Sequence, residues 1–376
     1  MSELASYSIQ AIFFALVAVV VVSRSKKTDL YQFALISIWL VGVIAIFVRY
    51  RENQVLFYSN DQVFHQQVIE GYLPIEGLQI GAVISLRYLL TFPVYLISLL
   101  GFNAMLTIKF FQLSALLLVY KRSQHFIFKQ FLKISFWQLP LIAGPILMFM
   151  SLLSLRDVLL AYVALVFVTS DPPRERTLGL CGAFLLRPHL GVALAFGFVV
   201  SHFYSRWKPK LHSLSISLIA LLSYVLGTIA YWTGAVIQQG ANFETPNSVF
   251  TQLKFSQLGA NFLGLQFLTL QNPDDGIVAA STFALLVSRL VFFDTLLIPV
   301  LFLIAVFRHP EFLTKQKVLT LQAFLFFYGV VSQTSYNSTR QNIPFLACMG
   351  VLAVADIEHF RKIKAKVKPK LLMASR

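Results

Sequence analysis

The chain has 376 residues, is 57% hydrophobic with a mean hydropathy of +0.72, and carries a formal net charge of +15 although only 12% of its residues are charged. A charged share about half that of a soluble domain excludes an ordinary soluble fold. The basic excess sits between apolar runs and in the tail, which makes membrane topology a better explanation than nucleic-acid binding.

The apolar runs are about 15 to 25 residues long, enough to cross ~30 Å of hydrocarbon as helix, and they lack the short alternating segments of a barrel. They predict spans at 6–23, 30–48, 80–100, 103–120, 134–153, 155–170, 178–201, 213–237, 290–307, 318–333 and 342–355. The expected fold is an all-α polytopic membrane protein with about 11 transmembrane helices, a single domain over 1–376. The first run is read as a retained helix, because Met1–Ser8 has no basic stretch and Arg24, Lys26 and Lys27 form a basic stop. Two longer connections, 49–79 and 238–288, are expected on the outer face, and a basic tail over 357–376 in the cytoplasm. The N-terminus is then outside.

Alternating passes also put Arg206, Lys208, Lys210, Arg308, Lys315 and Lys317 inside. The same count puts Lys121, Arg122, Lys129, Lys133, Arg174 and Arg176 outside, against the positive-inside rule. Either those residues have an outer task, or the stretch 134–170, interrupted at Arg156-Asp157, is re-entrant and does not cross twice. Cys181 and Cys348 both lie in apolar runs and read as packing residues. No Gly-rich phosphate loop, zinc-ligand spacing or nucleophile elbow is present, so no cofactor or metal is expected from motifs.

Charges within apolar runs cost several kcal/mol unless paired or hydrated, so each is a functional candidate. Asp61, just past the second span, is either a general base for a sugar hydroxyl or the cap of a helix starting near Gln62. His65 shares that loop, and Arg87 in the third span reads as an interfacial anchor. Arg156 suits a lipid-linked phosphate near the interface, and Asp157 either acts with it or caps the following helix. Arg187-Pro188-His189 lies well inside the seventh span, where the proline is expected to kink the helix and turn Arg187 into a pocket. His189 is a catalytic candidate or a structural histidine. Arg289 and Asp294 flank the start of the ninth span, as a phosphate-binding cation or as a snorkelling arginine with a helix-starting aspartate. Arg340, with Gln341 and Asn342, forms a polar cluster before the last span.

The order of Asp61, Ser151–Asp157, Arg187-Pro188-His189, and Arg340 with Pro344 resembles the bacterial Wzy/EpsG-like polysaccharide polymerase group and the wider GT-C glycosyltransferases. The sequence departs from the group's Trp-Ser-Ser…Lys-Asp stretch in having Arg156 for the lysine and no tryptophan beside it. The resemblance implies a GT-C-like bundle in a bacterial plasma membrane. It implies an enzyme that polymerises polyprenyl-diphosphate-linked oligosaccharide units, such as O-antigen, capsule or exopolysaccharide. The partners would be that donor, a glycan acceptor and membrane lipid. Asp61, Asp157 and His189 would be the catalytic groups, and Arg156, Arg187, Arg289, Arg340 and His65 the binding groups. Two alternatives stay open: a GT-C transferase adding one sugar from a polyprenyl-phosphate donor, and a lipid-linked glycan flippase or transporter.

Overall fold

The computed structural model describes residues 3–24, 30–50, 57–58, 92–130, 138–153, 156–207, 212–239, 278–279, 282–308, 314–331 and 342–374. A backbone in hydrocarbon must satisfy its own hydrogen bonds, so these residues are almost entirely helical. The helices are α1 (Glu3–Ser23), α2 (Leu30–Tyr50), α3 (Ala104–Gln130), α4 (Leu139–Ile142), α5 (Pro145–Ser151) and α6 (Asp157–Thr169). They continue as α7 (Pro173–Leu186), α8 (Pro188–Trp207), α9 (His212–Gln239), α10 (Thr282–Phe307), α11 (Lys315–Val331) and α12 (Ile343–Ala374). Two-residue strands β1 (Phe57–Tyr58) and β2 (Val278–Ala279) pair antiparallel, so the two long connections meet. Among the described residues four stretches are long and apolar enough to cross a membrane: Glu3–Ser23, Leu30–Val48, Ala104–Lys129 and Leu214–Tyr231. Asp157–Thr169 and Val291–Phe307 are shorter apolar helices.

Side-chain contacts fix the direction of each helix. Tyr7 stacks on Phe47 at 3.8 Å, so α1 and α2 are antiparallel. Gln10 Oε1 accepts from Asn103 N at 2.7 Å, and Phe14 stacks on Phe110 at 4.6 Å. The start of α3 therefore lies beside the start of α1, here termed the distal end. At the other end Tyr31 meets Tyr120 (5.1 Å), and α3 closes with Lys129. This second end collects most of the cations and is termed the basic end.

The stretch 139–207 does not alternate between the ends. Tyr31 OH donates to Ala143 O at 3.0 Å near the basic end. Farther along α2, Trp39 Nε1 donates to Ser151 O at 3.3 Å, and Leu152 packs over Gly42. The chain then turns, and Val158 N donates to Gln112 Oε1 at 3.1 Å. Gln112 lies about 13 Å from Asn103 and about 15 Å from Arg122 along α3, at ~1.5 Å rise per residue, so the turn is at mid-depth. From there α6 descends until Thr169 and Ser170 meet Arg122. Segments α4 to α6 thus leave the basic end and return to it, the re-entrant arrangement that the sequence left open for 134–170 beside two crossings.

A second hairpin follows. Helix α7 climbs from the basic end with Gly179 against Val163 and Phe167 of α6. It stops at Arg187, whose φ of −156° and ψ of 97° are extended. Proline disfavours the helical conformation of the residue before it, and its own fixed φ suits the first position of a new helix. Helix α8 then returns along α7, with Gly191 over Phe184, and ends at Arg206 and Trp207. The kink expected at Pro188 is a reversal.

The remaining helices enclose these hairpins. α9 and α11 run parallel, with Ser223 Oγ donating to Gln322 Oε1 at 2.6 Å and Thr228 Oγ1 to Gly329 O at 3.4 Å. α8 packs along α11 and α6 along α12. Gly197 allows the first contact: a Cβ there would lie 2.6 Å from Leu319 O and 2.7 Å from Ala323 Cβ. The expected ninth span, 290–307, begins earlier, at Thr282.

Candidate functional site

The first expected set of outer cations is misplaced by the alternating count. Arg122 donates from Nε to Thr169 Oγ1 (3.0 Å) and from Nη2 to Ser170 Oγ (2.6 Å), and pairs with Glu175 at 2.9 Å. Lys129 pairs with Asp171. Arg176 donates to Ser170 O at 2.7 Å and lies over the Phe198 ring, as does Lys315. Lys315 begins α11, which the sequence places inside, so the two groups of cations share one end. Arg122 and Lys129 reach the basic end because α2 ends and α3 begins at the same distal end, so no net crossing separates those two helices, and the first hairpin then returns Arg176 to that end. At this end the Lys129 ammonium holds the Asp171 carboxyl below its ordinary value, against the opposing effect of its slight burial.

The candidate site is the level where both hairpins reverse. Arg156 precedes α6, Asp157 opens it, and both side chains are buried. Arg156 Nη1 donates to Leu186 O at 2.9 Å, the last carbonyl of α7. The next residue, Arg187, is also buried. The two breaks therefore bring two guanidinium-bearing residues to adjoining positions at mid-depth, deeper than the interfacial place expected for Arg156. An arginine on a helix C-terminal carbonyl complements the negative end of that helix. The N-terminal side of α6 receives its hydrogen-bond acceptor from Gln112 of α3, which takes the capping role expected of Asp157. Asp157 in the first turn keeps the favourable position of a carboxylate at a helix start.

The other expected groups divide. His189 is exposed, on the first turn of α8. Arg289 is exposed on α10. Asp294 does not start a helix: it lies buried within α10, and its Oδ2 accepts from Ile146 N at 3.0 Å, closing the first turn of α5. Asp61, His65, Arg87 and Arg340 lie outside the described residues. Cys348 is buried as expected, whereas Cys181 is exposed on α7.

Three buried polar groups were not singled out in the sequence. Lys109 of α3 is fully buried in the distal half of the bundle. Lys317 and Asp356 form a buried ion pair between α11 and α12, and Lys317 Nζ also donates to Ala305 O of α10 at 3.0 Å. A lone lysine in the run 103–120 was a legible signal. Lys317 and Asp356 sit at the predicted ends of their spans, where charges usually face water. Among the described residues no three His, Cys, Asp or Glu side chains come together as a metal-binding group.

No family model, no curated protein and no solved structure matches this chain.

Proposed function

We propose that the protein is a multi-pass glycosyltransferase of a bacterial plasma membrane that polymerises polyprenyl-diphosphate-linked oligosaccharide units of a surface polysaccharide. The observation that supports this reading is the burial of Arg156 and Arg187 at adjoining helix breaks. Two arginines within a membrane bundle are costly to keep and suited to a diphosphate, which accepts bidentate hydrogen bonds. In the reaction, the acceptor hydroxyl oxygen attacks the donor's anomeric carbon. The bond to the diphosphate oxygen breaks, and lipid diphosphate leaves with the bonding electrons. The proton passes to a carboxylate, Asp157 or Asp61. Arginine stabilises the charge that develops on the leaving group.

In this reading the bundle makes about 11 predicted passes less those that the re-entrant hairpins replace, as a GT-C-like arrangement. The basic end faces the cytoplasm by the positive-inside rule, and the N-terminus lies outside. The strands β1 and β2, the end of α11 and the start of α12 then belong to the outer side. Arg289 on α10 and His189 on α8 serve as secondary donor contacts. Transfer of a single sugar from a polyprenyl-phosphate donor uses the same groups.

One observation favours a transporter or flippase instead: among the described residues two helical stretches are interrupted, before Asp157 and at Arg187, where transporters carry paired broken helices. Both hairpins enter from the same end, however, whereas inverted repeats would enter from opposite ends.

The test is to replace Arg156 and Arg187 separately by Gln, confirm membrane levels, and measure glycan chain length in the host. Long chains lost with single units retained supports the polymerase. Loss of single units as well points to the one-sugar transferase. Accumulation of unpolymerised donor on the cytoplasmic face points to the flippase. Normal glycan in both variants rejects the proposal.

A further inference from the structure

Away from the mid-depth level, two cations and a histidine gather around one ring at the basic end, with a third cation farther along the same helix. The Phe198 ring of α8 has the Arg176 guanidinium carbon 5.3 Å from its centroid and Lys315 Nζ 4.7 Å from it. The imidazole of His202 stacks on the same ring at 6.5 Å, one helical turn along. Arg206 follows one turn later and acts electrostatically on both His202 and Lys315. Arg176 also acts on Lys315. The neighbouring carboxylates are engaged elsewhere: Asp171 with Lys129, and Glu175 with Arg122. Three elements, α7, α8 and α11, thus bring like charges near one another, with Asp171 offsetting part of the charge of Arg176 and no carboxylate among the described residues acting on Lys315.

The surroundings identify the depth. Phe203 and Trp207, on the adjoining face of α8, are 65% and 67% exposed. Exposed aromatic side chains at the end of a membrane helix mark the headgroup level. The cations therefore sit where lipid phosphates lie, beside an apolar face able to take an acyl chain.

We propose that Arg176 and Lys315, held over the Phe198 ring, together with Arg206 about two turns farther along α8, form a binding site for a phosphate ester, as carried by an anionic lipid headgroup, at the basic end of the bundle. The site is separate from Arg156 and Arg187 and does not depend on the reaction assigned to them. Arg176 keeps its hydrogen bond to Ser170 O, which orients its guanidinium. Lys315 supplies an ammonium at the start of α11, and Arg206 adds a further positive charge along α8. Occupancy would tie the second hairpin to α11.

The test uses the full chain in nanodiscs of phosphatidylcholine with increasing phosphatidylglycerol, with thermal unfolding as the readout. The variants are Arg206→Gln and Lys315→Gln, with Arg24→Gln as a charge-matched control at the exposed end of α1. Wild type and control are expected to gain stability with phosphatidylglycerol. Each site variant should need about fivefold more of it for the same gain, the order expected for one cation near a lipid surface. Inorganic phosphate and glycerol phosphate in detergent separate the sources: stabilisation by either, lost in the variants, assigns the site to soluble phosphate esters, and stabilisation only by lipid assigns it to headgroups. No preference for phosphatidylglycerol or for soluble phosphate, or an equal shift in Arg24→Gln, overturns the proposal.

Discussion

Replacing Lys317 by Met should be the most destabilising single charge removal at the basic end. The Lys317 side chain is 4% exposed and that of Asp356 9%, and the same ammonium also donates to Ala305 O. Three helices therefore share one nitrogen atom. Removing it leaves the Asp356 carboxylate buried without its cation and strips Ala305 O of a donor. Breaking a buried pair from one side costs about 3–5 kcal/mol, more than a hundredfold in the folded-to-unfolded ratio. Replacing both partners with apolar residues of similar volume removes the desolvation penalty along with the attraction, and is commonly near neutral. Lys317→Met/Asp356→Leu should thus recover most of the loss, to within about 1 kcal/mol of wild type. Reversible unfolding in mixed micelles, followed by tryptophan fluorescence, measures all three variants and gives the coupling from the double-mutant cycle. A cost below about 1 kcal/mol for Lys317→Met, or a double variant no better than the worse single one, would refute the claim that this pair joins α10, α11 and α12.

Two further outcomes follow from the placement of the hairpins and their charges. In a cysteine-free background, Lys129→Cys and Arg308→Cys should label from the same side of the membrane and Asn103→Cys from the other; labelling of the first two from opposite sides would restore the alternating count. Because the folded-state Asp171 carboxyl titrates below its ordinary value of 3.8, its contribution is present above that value and is lost as pH falls through the lower folded-state value. The melting temperature of Asp171→Asn should therefore lie below that of wild type near neutrality and converge with it in acid; a gap that widens in acid would contradict the assignment.

The helical character was legible because lipid imposes a length on every span, and Glu3–Ser23 and Leu30–Tyr50 lie close to the apolar runs that predict them. The direction of the spans was not. An apolar run of 16 to 20 residues reads the same whether it crosses or enters and returns, so 134–153 and 155–170 looked like two passes. The Arg156-Asp157 interruption marked where the chain turns back, whereas the violated charge rule at Lys121 and Lys129 arose upstream, where α2 ends and α3 begins at one end of the bundle. Pro188 was correctly read as a disturbance, but sequence alone does not distinguish a bend from a reversal. That depends on Gly179 and Gly191 letting α6 and α8 approach α7 closely. The mid-depth meeting of Arg156 with the end of α7 spans thirty positions of chain and depends on both turns at once, so each arginine was visible but their adjacency was not. Asp294 looked like a helix start because the apolar run thickens after it, whereas its partner, Ile146 N, lies 148 positions away.

The dependence of both hairpins on α11 and α12 sets an order for biogenesis. Ribosomes deliver the N-terminal segments first, yet α6 rests on α12 and α8 on α11, the last helices to be synthesised. Until those emerge, the turns bearing Arg156 and Arg187 are covered on the α2 and α3 side alone. Nascent chains that stop short of Lys315 would offer these charged turns to insertion chaperones and membrane proteases, so the last sixth of the chain decides whether the middle of the protein survives.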